Sequence, residues 1–100
     1  MTEVWTHGTW TVKPGREDEF VEAWRAMARE VAAHLEVRTT PVLLRDRDAP
    51  NVFISFGPWE NVDAVTRFRA SEPFRRHVTA MGGLLEDFQA RTLDQVVGRG

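Results

Sequence analysis

A chain of 100 residues, 42% hydrophobic and 28% charged, has the make-up of one soluble globular domain, read here as residues 3–97, with no room for a second module. The net charge of −2 leaves no cation excess to displace counterions from phosphates, which excludes a nucleic-acid binder. The absence of Cys excludes disulfides, thiolate metal sites and cysteine nucleophiles together.

In chain order, Val4 to Lys13 alternates Val, Trp and Thr and stops at the turn pair Pro14-Gly15, which predicts a strand. Its two faces differ: Val4, Thr6, Gly8, Trp10 and Val12 point one way, and Trp5, His7, Thr9 and Thr11 the other. Glu17, Asp18 and Glu19 then crowd the first turn of a helix expected over about residues 16–34, where carboxylates meet the positive end of the dipole. Phe20, Trp24, Met27, Val31 and Leu35 recur on one stripe of it. Two strands follow, 37–45 and 52–56. The first carries Pro41, which fits an edge position or a bulge, and Gly57-Pro58 is expected to end the second. Asn61 caps a helix bearing Val62, Val65 and Phe68. Ser71 and Pro73 start another with Phe74, Val78 and Met81, which Gly82-Gly83 stops. A last strand is expected over 88–97, and no internal repeat is apparent.

This order predicts an α+β fold, the ferredoxin-like split β-α-β-β-α-β unit, with an antiparallel sheet and helices on one face. The other face is left for a second copy, so a symmetric homodimer is expected. No apolar run approaches the roughly 18 residues that span a bilayer, and no signal pattern opens the chain. The expected location is therefore cytoplasmic, without membrane partners. One Lys against twelve Arg points to a GC-rich bacterial genome.

Three stretches carry a resemblance to a known family. They are Trp10-Thr11-Val12-Lys13-Pro14-Gly15-Arg16-Glu17-Asp18-Glu19-Phe20 with Trp24, then Phe53-Ile54-Ser55-Phe56-Gly57-Pro58-Trp59-Glu60, then Phe68-Arg69-Ala70-Ser71-Glu72-Pro73-Phe74-Arg75. In this order and spacing they resemble the antibiotic biosynthesis monooxygenase family, whose ferredoxin-like subunits pair into dimeric α/β barrels. The resemblance implies one of several activities: cofactor-free oxidation of aromatic polyketide phenols to quinones, haem degradation, or no known chemistry. Without a cofactor, the phenol must lose its proton and react with oxygen as its anion, so a proton acceptor, an oxyanion partner and a dry pocket are needed.

Candidates for these roles are few. His7 is of the residue type best suited to act as a base near neutral pH, or is a half-buried histidine bonded to a neighbour. His77, near the apolar side of the last helix, is a second catalytic candidate. It also lies where haem-degrading relatives place an axial iron ligand, although their first-strand Asn and second-helix Trp correspond here to His7 or Gly8 and to Phe68. Trp59 matches the Trp whose indole N–H reaches substrate in quinone-forming relatives, or plugs the strand–helix gap. Ser55 stands where those relatives have Asn, and their Tyr has no counterpart in a chain without tyrosine. Phe68 and Arg91 complete the substrate-contacting set, Arg91 either as an oxyanion partner or as a solvated edge residue. No metal-ligand spacing and no Gly-rich phosphate loop is present, so no cofactor is expected. The reading is a monooxygenase of a hydrophobic aromatic phenol. The alternatives are a non-catalytic ligand-binding dimer and a haem-binding relative.

Overall fold

Alternation along β1 (Val4–Val12) decides the architecture. The computed structural model describes residues 4–35 and 41–98. β1 pairs antiparallel with both β3 (Val52–Trp59) and β4 (Leu85–Asp94), and β2 (Val42–Arg45) pairs with β3, giving the sheet order β2-β3-β1-β4. Residues opposite each other in a ladder share a face. Gly8 with Ser55 and Ala90, and Trp10 with Phe53 and Phe88, therefore line one side, while His7 with Phe56 and Arg91 line the other.

The helices cover the first side. α1 (Glu17–Leu35) lays Phe20, Trp24, Met27 and Val31 on Trp10, Val12 and Phe53, all buried. α2 (Val62–Ala70) begins at Asn61, whose side chain accepts from Ala64 N at 2.9 Å. α3 (Glu72–Met81) begins at Ser71, and a 3-10 turn at Gly82–Leu84 leads into β4. The split α+β ferredoxin-like unit expected from the sequence is what forms. Burying a large aromatic or aliphatic side chain stabilises by roughly 1.5–3 kcal/mol, so this one stripe against the sheet dominates the stability of a small domain.

Three boundaries differ from expectation. β3 does not end at Gly57-Pro58; it continues to Trp59, paired all the way to Val4. Beyond Phe56 no described residue of β2 flanks it, and such an edge-like setting tolerates a proline. β4 starts at Leu85, three residues early, because a register shift at Thr11/Val12 lets Val12 pair with Leu85. It ends at Asp94, leaving Val96 and Val97 exposed. The first part of the strand expected over 37–45 lies outside the described residues. The edge position read from Pro41 holds for β2.

Candidate functional site

Between the helices and the sheet lies a partly open cavity, lined above by Trp24, Met27 and Val31 of α1, Phe68 and Arg69 of α2, and Phe74 of α3. It measures about 80 Å³ by the positions a water centre can take, room for several waters at roughly 10–15 Å³ each. The lining is almost wholly apolar and aromatic, the usual make-up of a small-molecule site.

Two indole–hydroxyl pairs break that pattern. Trp10 Nε1 donates to Ser55 Oγ at 2.9 Å, and Trp59 Nε1 donates to Thr6 Oγ1 at 3.0 Å. Both pairs depend on glycine. A Cβ on Gly8 would lie 2.8 Å from Ser55 Oγ and from Trp10 Nε1, and one on Gly57 would lie 2.9 Å from Thr6 Oγ1. Neither glycine has positive φ, so close approach rather than backbone freedom is what excludes a side chain there. Aromatic contacts fix the rest: Trp59 stacks on Phe68 at 4.7 Å, Trp10 stacks on Phe88 at 4.0 Å, and Phe68 meets Phe74 in a tilted pair at 4.4 Å. Arg69 borders the cavity with its guanidinium held by Thr92 Oγ1 at 2.6 Å and the Arg91 carbonyl at 2.9 Å.

Of the residues singled out in the sequence, Ser55, Trp59 and Phe68 come together here. The others do not. The strand at His7 borders the cavity floor, but its ring belongs to the opposite face, where it packs on Phe56 at 5.0 Å. Arg91 shares that outer face and is exposed; only its carbonyl reaches Arg69. His77 ties α3 to α1 through Glu30 Oε1 at 2.9 Å, and Arg76 joins the same carboxylate. The His77 hydrogen bond, with help from Arg76, holds the Glu30 carboxyl below the usual carboxylate value. His77 therefore serves as an interhelical tie outside the cavity lining, and its Nε2 is already bonded. The residues present do not fit a haem ligated through it. Among the described residues, no group of three or more His, Asp or Glu could hold a metal ion.

Sequence reasoning missed Thr6, Gly8, Trp10, Gly57 and Arg69 as parts of the site. A signal for four of these was present. Thr6-His7-Gly8-Thr9-Trp10 and Ser55-Phe56-Gly57-Pro58-Trp59 share the pattern Ser/Thr-x-Gly-x-Trp, a five-residue recurrence too short to register as a repeat.

The family model for antibiotic biosynthesis monooxygenase matches residues 4–80. The chain belongs to the antibiotic biosynthesis monooxygenase family. No curated protein matches it. Among solved structures, it is similar to SnoaB, a cofactor-independent oxygenase from Streptomyces nogalater crystallised in mutant form. The identity is 26%, with 98% of this chain and 97% of that one covered, at a TM-score of 0.84. PA3566 from Pseudomonas aeruginosa shares the fold at 22% identity, with 97% of each chain covered and a TM-score of 0.79. SO0527 from Shewanella oneidensis shares it at 16% identity, with 94% and 91% covered and a TM-score of 0.81. For this family member, then, the ferredoxin-like fold is shared with proteins of quite different sequence, and chemistry has to be argued from the cavity.

Proposed function

We propose that this family member is a cofactor-independent monooxygenase that takes a hydrophobic aromatic phenol as its anion and oxidises it to a quinone with molecular oxygen. The observation that carries the reading is the character of the cavity: apolar walls, with hydroxyl and indole groups and Arg69 as the polar elements among the described residues. Apolar walls of this kind disfavour water, and the polar groups offer donors to an oxyanion, the preorganised stabilisation this reaction needs. The likeness to SnoaB supports the same reading.

In the proposed step, the phenolate passes electron density to O₂ and the ring carbon para to the oxygen forms a C–O bond. The resulting peroxide takes up a proton. Loss of the ring hydrogen with the distal oxygen as water leaves the second carbonyl. Phenol plus O₂ becomes quinone plus water, with one oxygen atom in each product. Ser55, Thr6 and Arg69 are assigned to hold the oxyanion, Trp59 to orient the Thr6 hydroxyl through its indole N–H, and Phe68 to wall the ring. Because the His7 ring lies on the far side of the sheet, no side chain of the cavity is assigned the role of base, and the substrate's own acidity sets the ionised fraction.

Oxygen uptake, measured after metal chelation and without flavin or nicotinamide, should therefore rise with pH at a midpoint that follows the substrate across naphthols of different acidity. One fixed midpoint near the histidine range, abolished by His7→Ala, would contradict this. Absence of uptake with every phenol, while an aromatic still binds, would favour the ligand-binding reading. That alternative draws support from the two indole N–H groups already engaged within the protein.

The partner we propose besides the ligand is a second copy. No described helix covers the outer sheet face, and Val42, Leu44 and Leu93 are 50%, 51% and 38% exposed on it. Pairing over this face gives the dimeric barrel of the family and buries His7 and Phe56. Light scattering at micromolar concentration should return the mass of a dimer; a stable monomer of 11.5 kDa at high concentration would refute it.

A further inference from the structure

We infer that the recurring Ser/Thr-x-Gly-x-Trp pattern builds a twin-donor seat for a planar aromatic ring carrying two oppositely placed acceptor oxygens, with Thr6 meeting one oxygen and Ser55 the other. The inference rests on the reading that the cavity takes an aromatic ligand. It adds that the cavity matches both oxygens of the quinone product, the phenol substrate meeting one half of the seat.

The antiparallel register places Thr6 opposite Gly57 and Gly8 opposite Ser55, so the two copies of the pattern are related by a local twofold axis between these pairs. Each Trp stands two residues beyond its glycine and leans back across it to the hydroxyl on the neighbouring strand. Four polar tips thereby converge at the centre of the floor, over two residues without side chains.

The proton count then determines what the seat can recognise. A hydroxyl has one proton to give and accepts through its lone pairs. Each hydroxyl here already accepts an indole N–H on one lone pair, so its O–H is the donor it still has to offer, beside a single remaining lone pair. Ser55 Oγ makes no other hydrogen bond among the described residues, and Thr6 Oγ1 reaches only the Gly57 carbonyl at 3.4 Å, the long limit for such a bond. Accepting an N–H also polarises a hydroxyl and strengthens it as a donor. Among the described residues no carboxylate lines the cavity, so the hydroxyls are its polar side-chain acceptors and the O–H groups and Arg69 its donors. Diagonal neighbours on a sheet face lie roughly 7–8 Å apart at the backbone and closer at their side chains. That spacing suits oxygens at opposite ends of one six-membered ring, lying beneath Trp24, Met27 and Phe74.

The test is anaerobic calorimetric titration of the full chain with three probes of one ring size: naphthalene, 1-tetralone with one carbonyl, and 1,4-naphthoquinone with two. In the wild type the quinone should bind roughly threefold to tenfold tighter than the tetralone, the usual net effect of one added hydrogen bond. The paired substitution Thr6→Val with Trp59→Phe removes a donor without leaving an orphaned indole N–H. It should bring the quinone down to the tetralone level while tetralone, which retains the Ser55 half, weakens by no more than about twofold, the statistical loss of one of two equal seats. Gly57→Ala, which displaces the Thr6 hydroxyl and keeps the indole, should also reduce the quinone preference, and covers the case of a paired variant that does not fold. A quinone that binds the wild type no tighter than tetralone, or a quinone preference that survives the substitutions, overturns the twin seat alone. If none of the three probes binds the wild type, the aromatic-cavity reading falls and this inference falls with it.

Discussion

Trp24→Ala should lower the free energy of unfolding by about 3–5 kcal/mol, the usual range for deleting a buried large aromatic. Trp24 is 9% exposed at the centre of the α1 stripe, and it walls both the core cluster and the cavity. Its removal joins new empty space to space already there, which the surrounding helices and sheet close only in part. Against a total of roughly 5–15 kcal/mol for a domain of this kind, urea denaturation will resolve the loss easily. A change below about 1 kcal/mol would mean that α1 turns a different face to the sheet.

Two glycine substitutions should move stability in opposite directions. Gly8→Val places a branched side chain where even a Cβ would stand 2.8 Å from Ser55 Oγ and Trp10 Nε1, and Trp10 is only 2% exposed. Overpacking of this kind costs about 1–3 kcal/mol. The variant should also lose aromatic binding, because the Trp10–Ser55 pair has to shift. Gly83→Ala meets nothing within 4 Å and does not need positive φ, so it should gain about 0.4–1 kcal/mol by restricting the unfolded chain. Thermal melts of the two proteins beside the wild type check both signs. Equal effects would mean that Gly8 is not holding open a tight contact.

Much of the fold was legible because local chemistry and the global arrangement agree. The acidic first turn of α1, its stripe from Phe20 to Val31, the Asn61 and Ser71 caps and the period-two pattern of β1 all act through neighbours close in sequence. The end of β3 was misread because whether a Gly-Pro pair interrupts a strand depends on what flanks it, which only the sheet order reveals.

The site was less legible. Ser55, Trp59 and Phe68 were found through a family pattern that spans them. His7 was placed on one face of its strand, but which face looks toward the helices is settled only when Trp10 and Val12 pack under α1. His77 lies near the apolar side of α3, yet whether it reaches the cavity turned on Glu30, 47 residues earlier on another helix. Thr6 carries only the short Ser/Thr-x-Gly-x-Trp recurrence as a mark, and register is what sets it beside Gly57 and under Trp59.

That division along β1 has an evolutionary consequence. Val4, Thr6, Gly8, Trp10 and Val12 face the cavity side, and Trp5, His7, Thr9 and Thr11 face away, so neighbouring residues meet different physical constraints. Changes at the even positions alter what fits inside the subunit, and changes at the odd ones alter what meets the sheet from outside. A lineage can therefore drift in one property while the other stays under constraint, within nine residues of a single strand. This separation allows a small domain with one sheet to vary the lining of its cavity while leaving its outer sheet face as it is.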